Sequence, residues 1–248
     1  MPFEKGSFIL MDYVGKVVET GEVFDTTLEE TAKKEDLYQE GGLYEPRLIV
    51  IGEGWVLKTL DEGLINLEMG KTATIEIPAE KAFGNRDPEK IRLYPLRKLI
   101  AQGVTPRVGM RIDVDGKIAI VRTIGSGRVQ LDFNPPLAGK TLTYEVTVQK
   151  KLETAEEKIM ALIHRRIPPV NVDKFSLEIK EDEVAVNIPE EAFYVEGLQV
   201  SKRGIFIDLQ KFFPEKKTVK FVETFKKPEP AEATPSPAAT PAGTEGSQ

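Results

Sequence analysis

Residues 51–64 read Ile51-Gly52-Glu53-Gly54-Trp55-Val56-Leu57-Lys58-Thr59-Leu60-Asp61-Glu62-Gly63-Leu64. Val56, Leu57, Leu60, Leu64 and then Leu67 recur at steps of three and four, the spacing that gathers side chains on one face of a helix. Gly70 ends that helix, a frequent choice past the last turn because glycine enters the left-handed region without a Cβ clash. Just before the helix, Leu48 to Ile51 form a short apolar strand closed by Gly52. Just after it, Thr72, Thr74 and Glu76 alternate with Ala73, Ile75 and Ile77 as far as Pro78, the period of a half-buried strand. The centre of the chain is therefore one amphipathic helix between strands.

Strand patterns continue outward. Phe8 to Val18 is β-rich, and Glu19-Thr20-Gly21-Glu22 turns it into Val23-Phe24. Thr141 to Gln149 alternates again and reads as a closing strand. Between Gly84 and Val129 the pattern changes. Asp87-Pro88 signals a turn or helix start, and Pro95 to Ile100 suit a short helix. Met110, Ile112 and Val114 lead into Asp115-Gly116, a type I′ hairpin signal, and Lys117 to Ile124 return as the second strand. Residues 85–128 thus read as a small β module inserted in a loop of a domain made of 1–84 and 129–152.

Residues 154–226 read as a separate α/β unit. Thr154 before Ala-Glu-Glu suits a helix N-terminus, and Pro168-Pro169 stops that helix. Phe175, Leu177, Ile179 and Val184, Val186, Ile188 alternate with polar residues as a hairpin around Glu181-Asp182-Glu183. Leu198, Ile205, Leu209 and Phe212 give a helical stripe ending at Pro214, and Lys217 to Thr224 a last strand. From 227 to 248 the chain has Pro, Ala, Thr, Ser, Gly and Glu without a large apolar residue, and is expected to be a disordered tail.

Composition narrows the chemistry. The 248 residues carry 34 Lys+Arg against 40 Asp+Glu, a formal charge of −6. That balance argues against a partner made of nucleic acid or anionic membrane, which needs a basic face. With no Cys and one His, disulfides, thiolate sites, cysteine nucleophiles and multi-histidine metal sites are excluded. No apolar run is long enough to span a membrane, and Met1 to Ile9 do not read as a signal peptide; the expected location is the cytoplasm. No phosphate-binding glycine loop, dinucleotide fingerprint or nucleophile elbow occurs. A Ser-His-Asp triad would need His164, which reads instead as a cation near a helix C-terminus.

One constellation remains. Tyr13-Val14-Gly15 and Gly21-Glu22-Val23-Phe24-Asp25-Thr26-Thr27 stand at the two ends of a hairpin. The 51–64 stretch follows, then Ile77-Pro78-Ala79-Glu80-Lys81-Ala82-Phe83-Gly84. Last comes Asn134-Pro135-Pro136-Leu137-Ala138-Gly139-Lys140 running into Thr141-Leu142-Thr143-Tyr144-Glu145-Val146. In this order the motifs resemble the FKBP-type peptidyl-prolyl cis-trans isomerases. The insert after Ala82-Phe83-Gly84 resembles their long, insert-in-flap branch of archaea and bacteria, and residues 154–226 resemble, more weakly, the C-terminal domain of long archaeal members.

The resemblance implies an α+β fold: an FKBP-like antiparallel half-barrel sheet wrapped on one helix, an inserted β-rich flap module and a C-terminal α/β unit. It implies catalysis of X-Pro isomerisation without cofactor or metal, in a pocket of Tyr13, Phe24, Asp25, Val56, Leu57, Leu60, Phe83 and Tyr144, with Leu137 at the rim. The insert, with Leu96, Ile100, Met110, Ile118 and Ile120 as substrate-binding candidates, is expected to hold unfolded or nascent chains. A homodimer through the C-terminal unit is a further expectation. Three positions depart from the family pattern. Leu60 stands where a large aromatic is usual, Phe83 where a tyrosine is, and Arg47 after Pro46 where an apolar residue is. Leu60 and Phe83 keep a rival open: a non-catalytic holdase or partner-binding module on the same fold.

Overall fold

We describe residues 3–225 from a computed structural model of the chain. The expected tail, 227–248, lies outside these residues. Contacts along the chain gather into two units, 1–168 and 169–248.

In the first unit β1 (Phe8–Val17) has both edges occupied. On one edge, β2 (Val23–Thr26) pairs antiparallel with its second half and β3 (Arg47–Val50) with its first half. On the other lies β9 (Leu142–Leu152), itself followed by β4 (Thr72–Ile77). The alternating runs form these strands, and their antiparallel pairing is what the resemblance implies. The helix α2 (Lys58–Leu64) packs against β4 and its apolar face meets the sheet. Seven residues are too few for a helix stable by itself in water, so burial holds it: Leu60 and Leu64 join Ile9, Met11, Ile77, Leu142 and Val146 in one core. Helix α1 (Glu29–Lys34) is not foreshadowed in the sequence. It buries only Ala32, so it has no apolar period, and Glu29 pairs with Lys33 one turn on at 2.6 Å.

The insert has its own sheet, ordered β5 (Ile91–Pro95), β8 (Arg128–Asp132), β7 (Lys117–Gly125) and β6 (Arg111–Val114), with α3 (Leu96–Ala101) after β5. Asp115 and Gly116 both take positive φ, 55° and 76°, as a type I′ turn requires. Strand β8 is a third hairpin member beyond the two expected, entered through Ser126-Gly127, also both at positive φ. The insert's sheet therefore runs on to Asp132, past the boundary expected at 128. Leu99, Ile112, Val114, Val121, Val129 and Leu131 form a core separate from that of the main sheet.

Two chain segments connect insert and main sheet, and a buried carboxylate joins them. Asp132, 1% exposed, accepts from Arg86 and from Arg122 (2.8 Å) with one oxygen and from the Asn134 side chain (2.8 Å) with the other. Asn134 also bonds both backbone groups of Asp87 at 2.9 Å, and the Gly139 N–H donates to Gly84 O at 2.8 Å. Helix α4 (Ala155–Arg166) follows β9 with a capping box between Thr154 and Glu157 and lies against β3, where His164 meets Glu45.

The second unit holds β10 (Ser176–Ile179) and β11 (Glu183–Ile188) as the expected hairpin, then α5 (Leu198–Phe212), then β12 (Thr218–Glu223) parallel to β11. Val184, Val186, Ile205 and Leu209 are fully buried. No helix among the described residues is long and apolar enough to cross a membrane.

Candidate active site

The site is assembled where β1, β2, β9 and the chain entering α2 meet. Side chains alternate across a strand, so Ile9, Met11 and Tyr13 share the inner face of β1, and Leu142, Tyr144 and Val146 that of β9. The Tyr13 and Tyr144 rings lie 5.8 Å apart, and the Phe24 ring meets Tyr144 edge-on at 5.7 Å, a favoured aromatic geometry. Gly15 makes room for Phe24: a Cβ there would stand 2.7 Å from the ring tip.

Polar contacts fix Tyr13. Its hydroxyl donates to Asp25 Oδ2 at 2.7 Å. Its N–H donates to Thr27 Oγ1 at 2.9 Å, its carbonyl accepts from Thr26 Oγ1, and Thr27 Oγ1 donates to the buried Asp12. Burial, and then the bond to Asp25, push the Tyr13 hydroxyl above its ordinary range. Burial and the charge of Asp25 push Tyr144 up to about 12. Both phenols are therefore neutral donors at neutral pH. Arg47 lies over the Tyr13 ring at 5.3 Å and is the cation that opposes these shifts.

The floor comes from α2 and the loop before it. Leu60 is 1% exposed, and Trp55, Val56 and Leu57 pack partly buried against the same core. The loop is tied to the helix by Asp61, a buried carboxylate that accepts from the Gly52 N–H at 2.9 Å and the Gly54 N–H at 3.3 Å. No local pattern signals this role, because Asp61-Glu62 looks like an ordinary solvated pair. The N–H of Leu57 has no acceptor among the described residues. Leu137 packs against the cluster from the segment returning from the insert.

Tyr13, Phe24, Asp25, Val56, Leu57, Leu60, Tyr144 and Leu137 are thus brought together. Phe83 is 44% exposed, and its neighbour Ala82 packs against the cluster. The backbone turns here, the Ala82 N–H donating to Pro78 O and the Gly84 N–H to Ala79 O. Among the described residues no group of carboxylates and histidine is placed to hold a metal ion.

Residues 92–137 match the family model described as FKBP26, IF domain, and residues 155–226 the one described as FKBP26_C-terminal. The chain is 34% identical over 146 residues to a short-type peptidyl-prolyl cis-trans isomerase of Methanocaldococcus jannaschii, spanning 59% of this chain and 92% of that protein. It is 33% identical over 120 residues to the FKBP-type peptidyl-prolyl cis-trans isomerase SlyD of Treponema pallidum, 47% of this chain and 68% of that one. The chain belongs to the FKBP-type peptidyl-prolyl cis-trans isomerases. A third relative, the FKBP-type 16 kDa isomerase of Escherichia coli, is 27% identical over 109 residues, 42% of this chain and 72% of that protein.

As an FKBP-type isomerase it acts on X-Pro bonds of polypeptides. The insert of this isomerase places the other expected binding residues in two settings. Ile100, Met110 and Ile118 are 57%, 41% and 55% exposed, joined by Leu93 and Val108, whereas Leu96 packs partly into the insert's core and Ile120 is half-buried. Leu93, Tyr94, Val114 and Phe133 also line a groove of about 470 Å³ rimmed by Lys90, Arg92 and Lys117. Sequence reading missed Phe133, which lies beyond the expected insert.

Proposed function

We propose that this isomerase twists the X-Pro bond in the pocket of Tyr13, Phe24, Asp25, Val56, Leu57, Leu60 and Tyr144, and that its insert holds the unfolded chain that carries the bond. The observation that supports the pocket is the aromatic trio of Tyr13, Phe24 and Tyr144 around one hydrogen-bonded carboxylate.

The barrier to rotation is about 20 kcal/mol because amide resonance is lost on twisting. No nucleophile is needed to lower it. An apolar wall disfavours the polar planar amide relative to the twisted one. Phe24, Leu60 and Tyr144 hold the proline ring while the preceding carbonyl turns. Asp25, kept in place by Tyr13, forms the polar wall beside that carbonyl, and the Leu57 N–H takes a substrate carbonyl.

The exposed Ile100, Met110 and Ile118 support capture by the insert, because large apolar side chains left in water on a small module suit a binding face. Tethering a substrate there raises its concentration at the pocket without changing the chemistry. Replacing these three by serine should leave turnover of an Ala-Leu-Pro-Phe peptide in a protease-coupled assay near wild type and sharply slow proline-limited refolding of a protein. Equal loss in both assays contradicts the division of labour, and no turnover of the peptide by wild type would favour the non-catalytic holdase.

For the C-terminal unit we propose dimerisation through β10, an edge strand of its sheet with Ile179 37% exposed. Sedimentation of the full chain against a chain ended at Pro168 tests this; equal monomer masses contradict it.

A further inference from the structure

Arg47 stands over the outer part of the pocket, on the ring of Tyr13. Its backbone is fixed, paired in β3 with Met11 of β1. Its side chain is exposed, and its guanidinium lies 5.3 Å over the ring of Tyr13. Among the described residues no carboxylate or carbonyl takes a hydrogen bond from the guanidinium. Its N–H donors are therefore left to solvent. Stacking on an aromatic face leaves the edge of a guanidinium open for a planar, bidentate acceptor.

The charges around the pocket make this position selective. Asp25 stands on the hydroxyl end of Tyr13, half-buried. Alone it would repel an acidic side chain on the residue preceding proline, whose carbonyl turns beside it. Arg47, on the ring of the same tyrosine, is the cation that acts on both pocket hydroxyls. It lies nearer the solvent than Asp25.

We propose that Arg47 is a specificity-determining residue that contacts the substrate and favours an acidic side chain, Glu or Asp, immediately before the proline. The inference rests on the pocket assignment above. An apolar residue at this position would leave Asp25 as the charge that acts there, so the departure of Arg47 from the family pattern acquires a chemical consequence.

The test uses the full chain and three peptides, Ala-Glu-Pro-Phe, Ala-Gln-Pro-Phe and Ala-Lys-Pro-Phe, with kcat/KM read as ratios within each variant so that a general loss cancels. Glutamine matches glutamate in shape, so their ratio isolates the charge. Wild type should prefer Glu over Gln by about two- to fivefold at low ionic strength, the scale of a solvent-exposed ion pair, and added salt should shrink the ratio. Arg47→Leu should bring the ratio to one or below. Arg47→Glu should invert it and favour the Lys peptide, while Arg47→Lys should keep part of the Glu preference. A Glu/Gln ratio that is the same in wild type, Arg47→Leu and Arg47→Glu overturns the proposal while leaving the pocket assignment standing. Absence of turnover on all peptides by wild type overturns the pocket assignment and this proposal together.

Discussion

The Tyr13 hydroxyl donates a 2.7 Å hydrogen bond to Asp25 Oδ2, joining the middle of β1 to the end of β2 inside an apolar wall. The bond sets where the one carboxylate of the pocket points. Asp25→Ala should remove the polar wall, and Tyr13→Phe should free the carboxylate to move. A hydrogen bond to a charged group contributes about 1.5–3 kcal/mol, so Asp25→Ala should lower kcat/KM on a proline peptide roughly ten- to hundredfold. Tyr13→Phe should cost less. Unchanged turnover of Asp25→Ala in a protease-coupled assay removes Asp25 from the mechanism.

Gly15→Ala should displace Phe24, because the added Cβ would stand 2.7 Å from the ring tip. Overpacking of this kind costs about 1–3 kcal/mol. The melting temperature should fall and turnover should fall with it, since Phe24 holds the proline ring. Pairing Gly15→Ala with Phe24→Leu should recover stability without recovering activity, as seen by calorimetry and the peptide assay.

Asp132→Ala should loosen the insert. It would leave Arg86 and Arg122 facing each other at a position where Asp132 is only 1% exposed, and would leave the Asn134 side chain held by Asp87 alone. Breaking one partner of a buried pair costs about 3–5 kcal/mol, and the partial exposure of both arginines reduces this to roughly 2 kcal/mol. Hydrogen exchange should show faster exchange in β5 to β8, with β1 and β9 unaffected. Equal destabilisation of both sheets would contradict a local role.

Alkali should weaken the first unit through its tyrosines. Burial raises Tyr144 to about 12, while an unfolded tyrosine ionises near 10. A group raised on folding contributes stability that is complete below the unfolded value and is lost as pH climbs to the folded one. Stability should therefore decline between about pH 10 and 12, and Tyr144→Phe should flatten that decline. Between about pH 6 and 9 neither phenol changes charge, so turnover should not vary through them. Denaturant titrations at several pH values check the first point and a pH–rate profile the second.

How far the sequence could be read depended on distance along the chain. The inner faces of β1 and β9 show as unbroken alternation, and the helix face of Leu60 and Leu64 as steps of three and four. The pairing of Tyr13 with Asp25 became legible only from motifs kept in order by the family resemblance. Other features were not legible. Asp61 resembles any surface acid until its loop is seen to fold back over it. The Asp132 network joins residues 46 positions apart, Arg86 to Asp132, which no local pattern encodes. Strand β8 was missed because Gly125 and Gly127 read as the end of a module, although Ser126-Gly127 adopt a hairpin turn like that of Asp115-Gly116.

The most direct measurement is NMR exchange spectroscopy of an Ala-Leu-Pro-Phe peptide with catalytic amounts of the full chain, followed by amide shifts of the protein at higher peptide concentration. Accelerated cis-trans exchange, with shifts centred on Phe24, Leu57 and Tyr144, is the expected result. Exchange no faster than in free peptide, or shifts confined to the insert, would contradict the assignment of the pocket.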